Sequence, residues 1–319
     1  MDRRRQAALL LTCIAIALGG IAVADVATLS PLRAARWLPA GRRAHALSHE
    51  PTECLIAVSD PQLAQRIAIG RAAFRTPLLL GGLAARSGLS CSSCHRDGRG
   101  NPDFLFAGLS GAPGTADVTS SLMSSHRGDG VDNPKPIPDL SGAAEKLKVS
   151  RDPANHALET FVHGLVVEEF DGPEPSAATL DGLASYVRAL SPMACPATAE
   201  QTIRLAQYLA DARAALHAAQ FTYAAHDRQT TRLMLASARS ALGNIDERYA
   251  DPALAHDRGM LRAADSELGE IQVAADAGSN EVPARIAAWI ARMPHWSAPL
   301  EHDEPRSLFN PERLVTLHE

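Results

Sequence analysis

The stretch Gly88-Leu89-Ser90-Cys91-Ser92-Ser93-Cys94-His95 decides how this chain is read, because its last five residues have the pattern C-x-x-C-H. That order is the attachment signature of a c-type haem. Two thiols one helical turn apart can add to the two vinyl groups of a haem, and the histidine that follows is carried under the ring to give iron its proximal nitrogen. A thioredoxin-type dithiol would need a βαβ context, and a zinc site would need a second Cys/His pair at ligand spacing. The sequence offers neither. One covalently attached haem on Cys91 and Cys94, with His95 as axial ligand, is therefore expected.

The other cysteines stand at 13, 54 and 195. Cys13 sits in an apolar run and reads as filler there. Cys54 and Cys195 bracket the motif at the two ends of the proposed haem domain and are expected to form a disulfide. Closing a loop of that length stabilises by on the order of 4–5 kcal/mol in the chain-entropy view.

Arg3, Arg4 and Arg5 precede an uncharged run from Ala7 to Ala24 that closes on Ala22-Val23-Ala24. This is the layout of a secretory signal, and residues 1–24 are read as either a cleaved signal peptide or an uncleaved N-terminal membrane anchor. Both place the remainder outside the cytoplasm, in the periplasm, where a disulfide is stable. Residues 25–52 have no sustained period and read as a linker.

The whole chain has 319 residues, is 46% hydrophobic and 21% charged, and carries a net charge of −5. No Lys/Arg block occurs beyond the first five residues, which excludes nucleic acid as the expected partner.

Leu63, Ile67, Gly70 and Phe74 recur at helical spacing before the motif, and Leu180, Leu183, Tyr186, Val187 and Leu190 do so far behind it. The Gly/Pro-rich sequence between them could not build a core unaided, so haem would supply one. This order resembles the cytochrome c fold over residues 53–196, with Gly70 and Phe74 packing near Tyr186 where the terminal helices cross. Ile69 to Phe74, followed by Gly88 to His95, resembles the opening of the di-haem cytochrome c peroxidase and MauG-like families. The segment Gly114 to Leu122 followed by His126-Arg127-Gly128-Asp129-Gly130 is a looser likeness to their later histidine segment. Those families carry two C-x-x-C-H motifs; this chain has one, so their two-haem electron pathway cannot operate within it.

The sixth iron ligand should come from residues 96–176. Met123 is the only thioether there, and a Met/His pair sets a potential in the carrier range. His126 is the alternative, falling where the related families keep a histidine; His163 or an open iron follow, and His156 reads as a surface residue. Arg96, Arg99 and Arg127 are candidates for the haem propionates. The acidic turn Glu168-Glu169-Phe170-Asp171 is either a rim for a basic redox partner or a solvated face.

From residue 197 to 293, Ala-rich stripes signal an α-helical bundle: Leu205, Leu209, Ala212, Leu216, Ala219; then Leu235, Ala238, Leu242, Ile245, Tyr249; then Leu261, Ala264, Leu268, Ile271, Ala275; and finally Ile286, Trp289, Ile290, Met293. These stripes form either the module's own core or a groove for another protein. His217, His226 and His256 lack ligand-spaced partners, and residues 294–319 read as a loosely packed tail. The expected architecture is thus all-α, a cytochrome c-like haem domain followed by a helical bundle. The expected function is an exported mono-haem electron carrier working with redox partner proteins. A peroxidase-like haem protein with an open distal face is the alternative, and no catalytic acid or base is marked by sequence.

Overall fold

The helical spacings that flank the motif become two helices that cross each other. In the computed structural model, residues 30–128, 130–142, 147–196 and 199–318 are described; the proposed signal with Cys13 lies outside them. The elements in chain order are α1 (Arg43–Ser48), β1 (His49–Pro51), α2 (Pro61–Phe74), α3 (Gly82–Ser87), α4 (Cys91–Cys94), β2 (Thr115–Ala116) and β3 (Lys135–Pro136). They continue with α5 (Ala157–Gly164), α6 (Ala177–Ala189), β4 (Glu200–Thr202), α7 (Leu205–Ala224), α8 (Arg228–Arg248), α9 (Ala255–Asp276), α10 (Val282–Asp303) and α11 (Pro311–His318). Helices dominate, as expected of the all-α class. The strands are two or three residues long and form two antiparallel pairs, β1 with β4 and β2 with β3.

Asp60 starts α2 by accepting from the Gln62 amide at 2.9 Å, and Pro61 occupies its first turn. Ser176 starts α6 in the same way through the Thr179 amide, at 3.0 Å. The two helices meet glycine against glycine. A Cβ on Gly70 would lie 1.9 Å from the Gly182 carbonyl oxygen, so no side chain fits there. Phe74 and Tyr186 then pack with ring centroids 5.1 Å apart. The close approach at Gly70 is to the Gly182 backbone rather than to an aromatic ring, while Phe74 makes the contact with Tyr186. Gly70→Ala should force the helices apart and destabilise by about 3 kcal/mol, the upper range for overpacking. A urea titration of the two proteins measures this, and equal midpoints would refute the crossing.

In the C-terminal region α7 packs on α8, α8 on α9, α9 on α10, and α10 returns to α7. The four predicted stripes face inward: Leu216, Leu235, Ile245, Leu268, Ile271 and Ile286 are fully buried. They are consumed by the bundle's own core, and the partner-groove alternative loses the apolar face it needed.

Three sequence expectations are corrected by packing. The expected boundary at residue 196 is not a gap, since residues from Pro31 onward form one compact unit in which α2 touches both α7 and α8. A periodic stripe reveals that a face is buried but not which helix buries it. The described part of the expected linker, residues 30–52, is folded: Trp37 joins the main core, while Leu32, Ala35, Leu38 and Leu47 form a small second core. The expected loose tail closes that second core with Leu314, and Phe309 is fully buried. Helix α10 runs on through Pro294 and Pro299 to Asp303, and Arg248 ties the N-terminal segment to the C-terminal one by donating to the carbonyls of Leu47 and Leu308 at 2.8 and 2.7 Å.

Candidate haem-attachment site

The motif occupies a single turn, α4, entered from Gly88 in the left-handed region (φ 77°) and closed when the Ser90 amide donates to Ser93 Oγ at 3.0 Å. The Asn101 side-chain amide satisfies the Ser93 carbonyl at 2.8 Å, and the His95 amide donates to the Cys91 carbonyl. Cys91 and Cys94 thus share one face of the turn. Both are free thiols and half-buried. Burial pushes each of them up to about 12, so both are protonated at neutral pH.

His95 is held by its ring. Its Nδ1 lies 3.0 Å from the Pro138 carbonyl, which requires Nδ1 to carry the proton and leaves Nε2 with a free lone pair. Burial lowers its pKa to about 4, so the ring is neutral. Its face tilts against Phe74, with centroids 6.4 Å apart. A neutral imidazole with one nitrogen tied to a backbone carbonyl is the form in which histidine binds iron.

The Pro138 segment that holds His95 brings Ile137 and Leu140 beside the motif, the Leu140 amide donating to the Gly98 carbonyl at 3.0 Å, and both stay only half-buried against the main core, as do Leu83, Phe106, Val162 and Phe170 elsewhere on it. Cys91 and Cys94 belong to the same half-buried set. Among the described residues no three His, Cys, Asp or Glu side chains converge as a metal cage would require, so the motif lacks the further ligands of a zinc site.

Burial separates the candidates for the sixth position. Met123 is 1% exposed and belongs to the core. His126 is 62% exposed in its side chain and sits 3.9 Å from Asp171. His163 pairs with Glu174 at 2.9 Å, and His156 is an exposed residue with positive φ that precedes α5. The Met123 loop is clamped from both sides. Asp117 accepts from Thr119 and the Asn133 amide. Ser124 Oγ donates to the Glu168 carbonyl, the Ser125 amide donates to Asp171 at 2.8 Å, and Arg127 pairs with Glu168 and Glu169. The acidic turn is accordingly a fastening for this loop, because Glu169 is buried and faces Arg127.

The three arginines suggested for propionates all have protein acceptors. Arg127 has the acidic turn, Arg99 pairs with Asp139 at 2.7 Å, and Arg96 donates to the His49 carbonyl at 2.8 Å. Arg99 thereby steadies the residue next to Pro138.

Cys54 and Cys195 form the expected disulfide, 141 residues apart in sequence. The segments it joins already lie side by side, since the Ser191 amide donates to the Cys54 carbonyl at 2.8 Å and the Ile56 amide to the Ala189 carbonyl at 3.0 Å.

A half-buried ionic cluster, of which Asp97 is the buried member, lies behind the motif and was not found by sequence reasoning. Arg71 and Arg75 of α2 meet Glu53, Asp211 of α7, and Asp97, which lies two residues beyond His95. The Tyr186 hydroxyl donates to Glu53 at 2.7 Å. The signal available was Arg71 and Arg75 themselves, two like charges four apart on a helix with an otherwise apolar face.

Comparison with known proteins gives no likeness to add to this geometry: the chain matches no protein-family model, no curated protein and no solved structure.

Proposed function

We propose that this chain is an exported c-type cytochrome that carries one haem on Cys91 and Cys94 and transfers electrons. The observation that carries the reading is a single C-x-x-C-H turn whose histidine is already oriented, with Nδ1 on the Pro138 carbonyl and Nε2 free. Bound haem would supply a one-electron couple. The residues of this chain would do the rest: His95 would give the proximal nitrogen, and Ile137 and Leu140 beside it would shield the ring from water. Met123, buried on a clamped loop, is the sixth ligand that fits best, and its soft thioether favours ferrous iron. The Cys54–Cys195 disulfide supports an oxidising compartment, the periplasm. Electrons then come from and go to redox partner proteins, and the N-terminal segment serves as signal or tether.

Optical spectra of the ferric and ferrous protein test the reading. A low-spin ferric spectrum with a near-infrared Met–iron band supports the carrier. A high-spin spectrum that shifts with peroxide transfers the proposal to the peroxidase-like alternative. Met123→Ala should abolish that band, leave the iron high-spin and lower the potential. Met123→Leu, which preserves volume, should do the same without the packing loss. His126→Ala should leave the spectrum unchanged, and the reverse pattern would make His126 the ligand.

A further inference from the structure

A cleft of about 740 Å³ reaches the motif turn. Ser92 and Ser93 of the motif line it, with Glu50 of β1, Arg96, and Tyr208 and Asp211 of α7; Cys91, Cys94 and His95 do not. The acids that line it are paired with arginine, except for one. Asp97 and Asp211 have Arg75, Glu247 has Arg33, Asp246 has Arg258 and Arg262, and Asp265 has Arg239. Glu50 has only amides. Its Oε1 accepts from the side chains of Gln201 at 3.2 Å and Gln207 at 3.0 Å, and among the described residues no donor reaches Oε2.

The charges that face Glu50 come from every neighbouring element. Arg75 stands at the end of α2, Arg96 and Asp97 follow α4, and Asp211 and Tyr208 project from α7, with Arg248 over the Tyr208 ring at 5.9 Å. Both nearby cations are committed elsewhere: Arg75 to Asp97 and Asp211, Arg96 to the His49 carbonyl. Burial, reinforced by the Asp97 charge and opposed by Arg75 and Arg96, raises the Glu50 carboxyl to about 7. The link to the motif is short in the chain: Arg96 adjoins His95, and the carbonyl it grips belongs to the residue before Glu50.

We propose that Glu50 is a redox-linked proton acceptor, taking one proton from solvent through the cleft when the iron on His95 is reduced and returning it on oxidation. The inference rests on the haem reading above. In balance, a one-electron donor passes one electron to ferric iron, and one solvent proton bonds to Glu50 Oε2; reoxidation reverses both, and no other bond changes. Oε2 can take that proton without disturbing the two amide bonds to Oε1. Reduction at His95 would remove positive charge near Arg96, which would strengthen the carboxyl's hold on its proton. By reciprocity, the proton on Glu50 raises the reduction potential.

The test is a spectroelectrochemical titration of the full haem-loaded chain at pH values spanning neutrality, with dithionite as reductant and ferricyanide as oxidant. The wild-type potential should fall as pH rises through the neutral range. Glu50→Gln, which still offers an oxygen to Gln201 and Gln207, should flatten that profile at the high-potential end. Glu50→Asp should keep a slope displaced along the pH axis. A reduced-minus-oxidised infrared spectrum should show a protonated-carboxyl band that vanishes in Glu50→Gln. A flat wild-type profile, or a slope unchanged in Glu50→Gln, overturns this inference while the cytochrome reading stands. A wild-type protein without covalent haem overturns both.

Discussion

Replacing Cys91 and Cys94 together by Ala is expected to give protein with no covalently attached haem. Wild-type protein run on denaturing electrophoresis should retain a haem stain, each single variant should stain more weakly through its one remaining thioether, and the double variant should not stain. The reason is chemical: the only other cysteines among the described residues are joined to each other as Cys54–Cys195, so no further described thiol is free to substitute. The loss should extend to stability. Without a macrocycle on the turn, the half-buried apolar side chains beside it, such as Ile137 and Leu140, would keep apolar area in water, at a cost of about 25 cal/mol per Å². The double variant should therefore melt at a lower temperature than the wild type. A full haem stain in the double variant would end the cytochrome reading.

The proposed attachment turn is readable because its residues are contiguous. To carry one macrocycle, Cys91, Cys94 and His95 would have to lie on one turn, and in the sequence they stand together. The Pro138 carbonyl that orients His95 lies 43 residues away and is a backbone acceptor, which no residue type announces. The bundle stripes were legible because a buried helical face imposes its period. The docking of the bundle on α2 was not, because its contacts include polar ones such as Ser237 Oγ donating to the Ala72 carbonyl at 3.0 Å. Gly70 showed that something approaches closely, while Gly182 became its partner only through the crossing. The tail was misjudged on composition: Phe309 and Leu314 are few among polar neighbours, yet each is fully buried.

Arg75→Met should cost about 3–5 kcal/mol at neutral pH, the range for removing one partner from a buried ionic group. Arg75 reaches Asp97, Glu53 and Asp211 at once, and these come from the turn behind the motif, the segment before α2, and α7. Arg71 still pairs with Glu53 and Asp211 in the variant but does not reach Asp97. The pH dependence should change in a definite direction. Burial would raise both the Glu53 and Asp211 carboxyls, but the charges of Arg75 and Arg71 outweigh it and hold both below the ordinary carboxylate range. A lowered carboxyl stabilises the fold above its unfolded pKa, and that contribution disappears as pH falls through the lowered value. With Arg75 gone both carboxyls move up, so the variant should lose helical circular dichroism at a higher pH on acidification. Urea titration at pH 7 gives the first number and acid titration the second. A loss below about 1 kcal/mol, the scale of a solvent-exposed pair, would show that the cluster is hydrated and does not tie α2, the motif turn and α7 into one body.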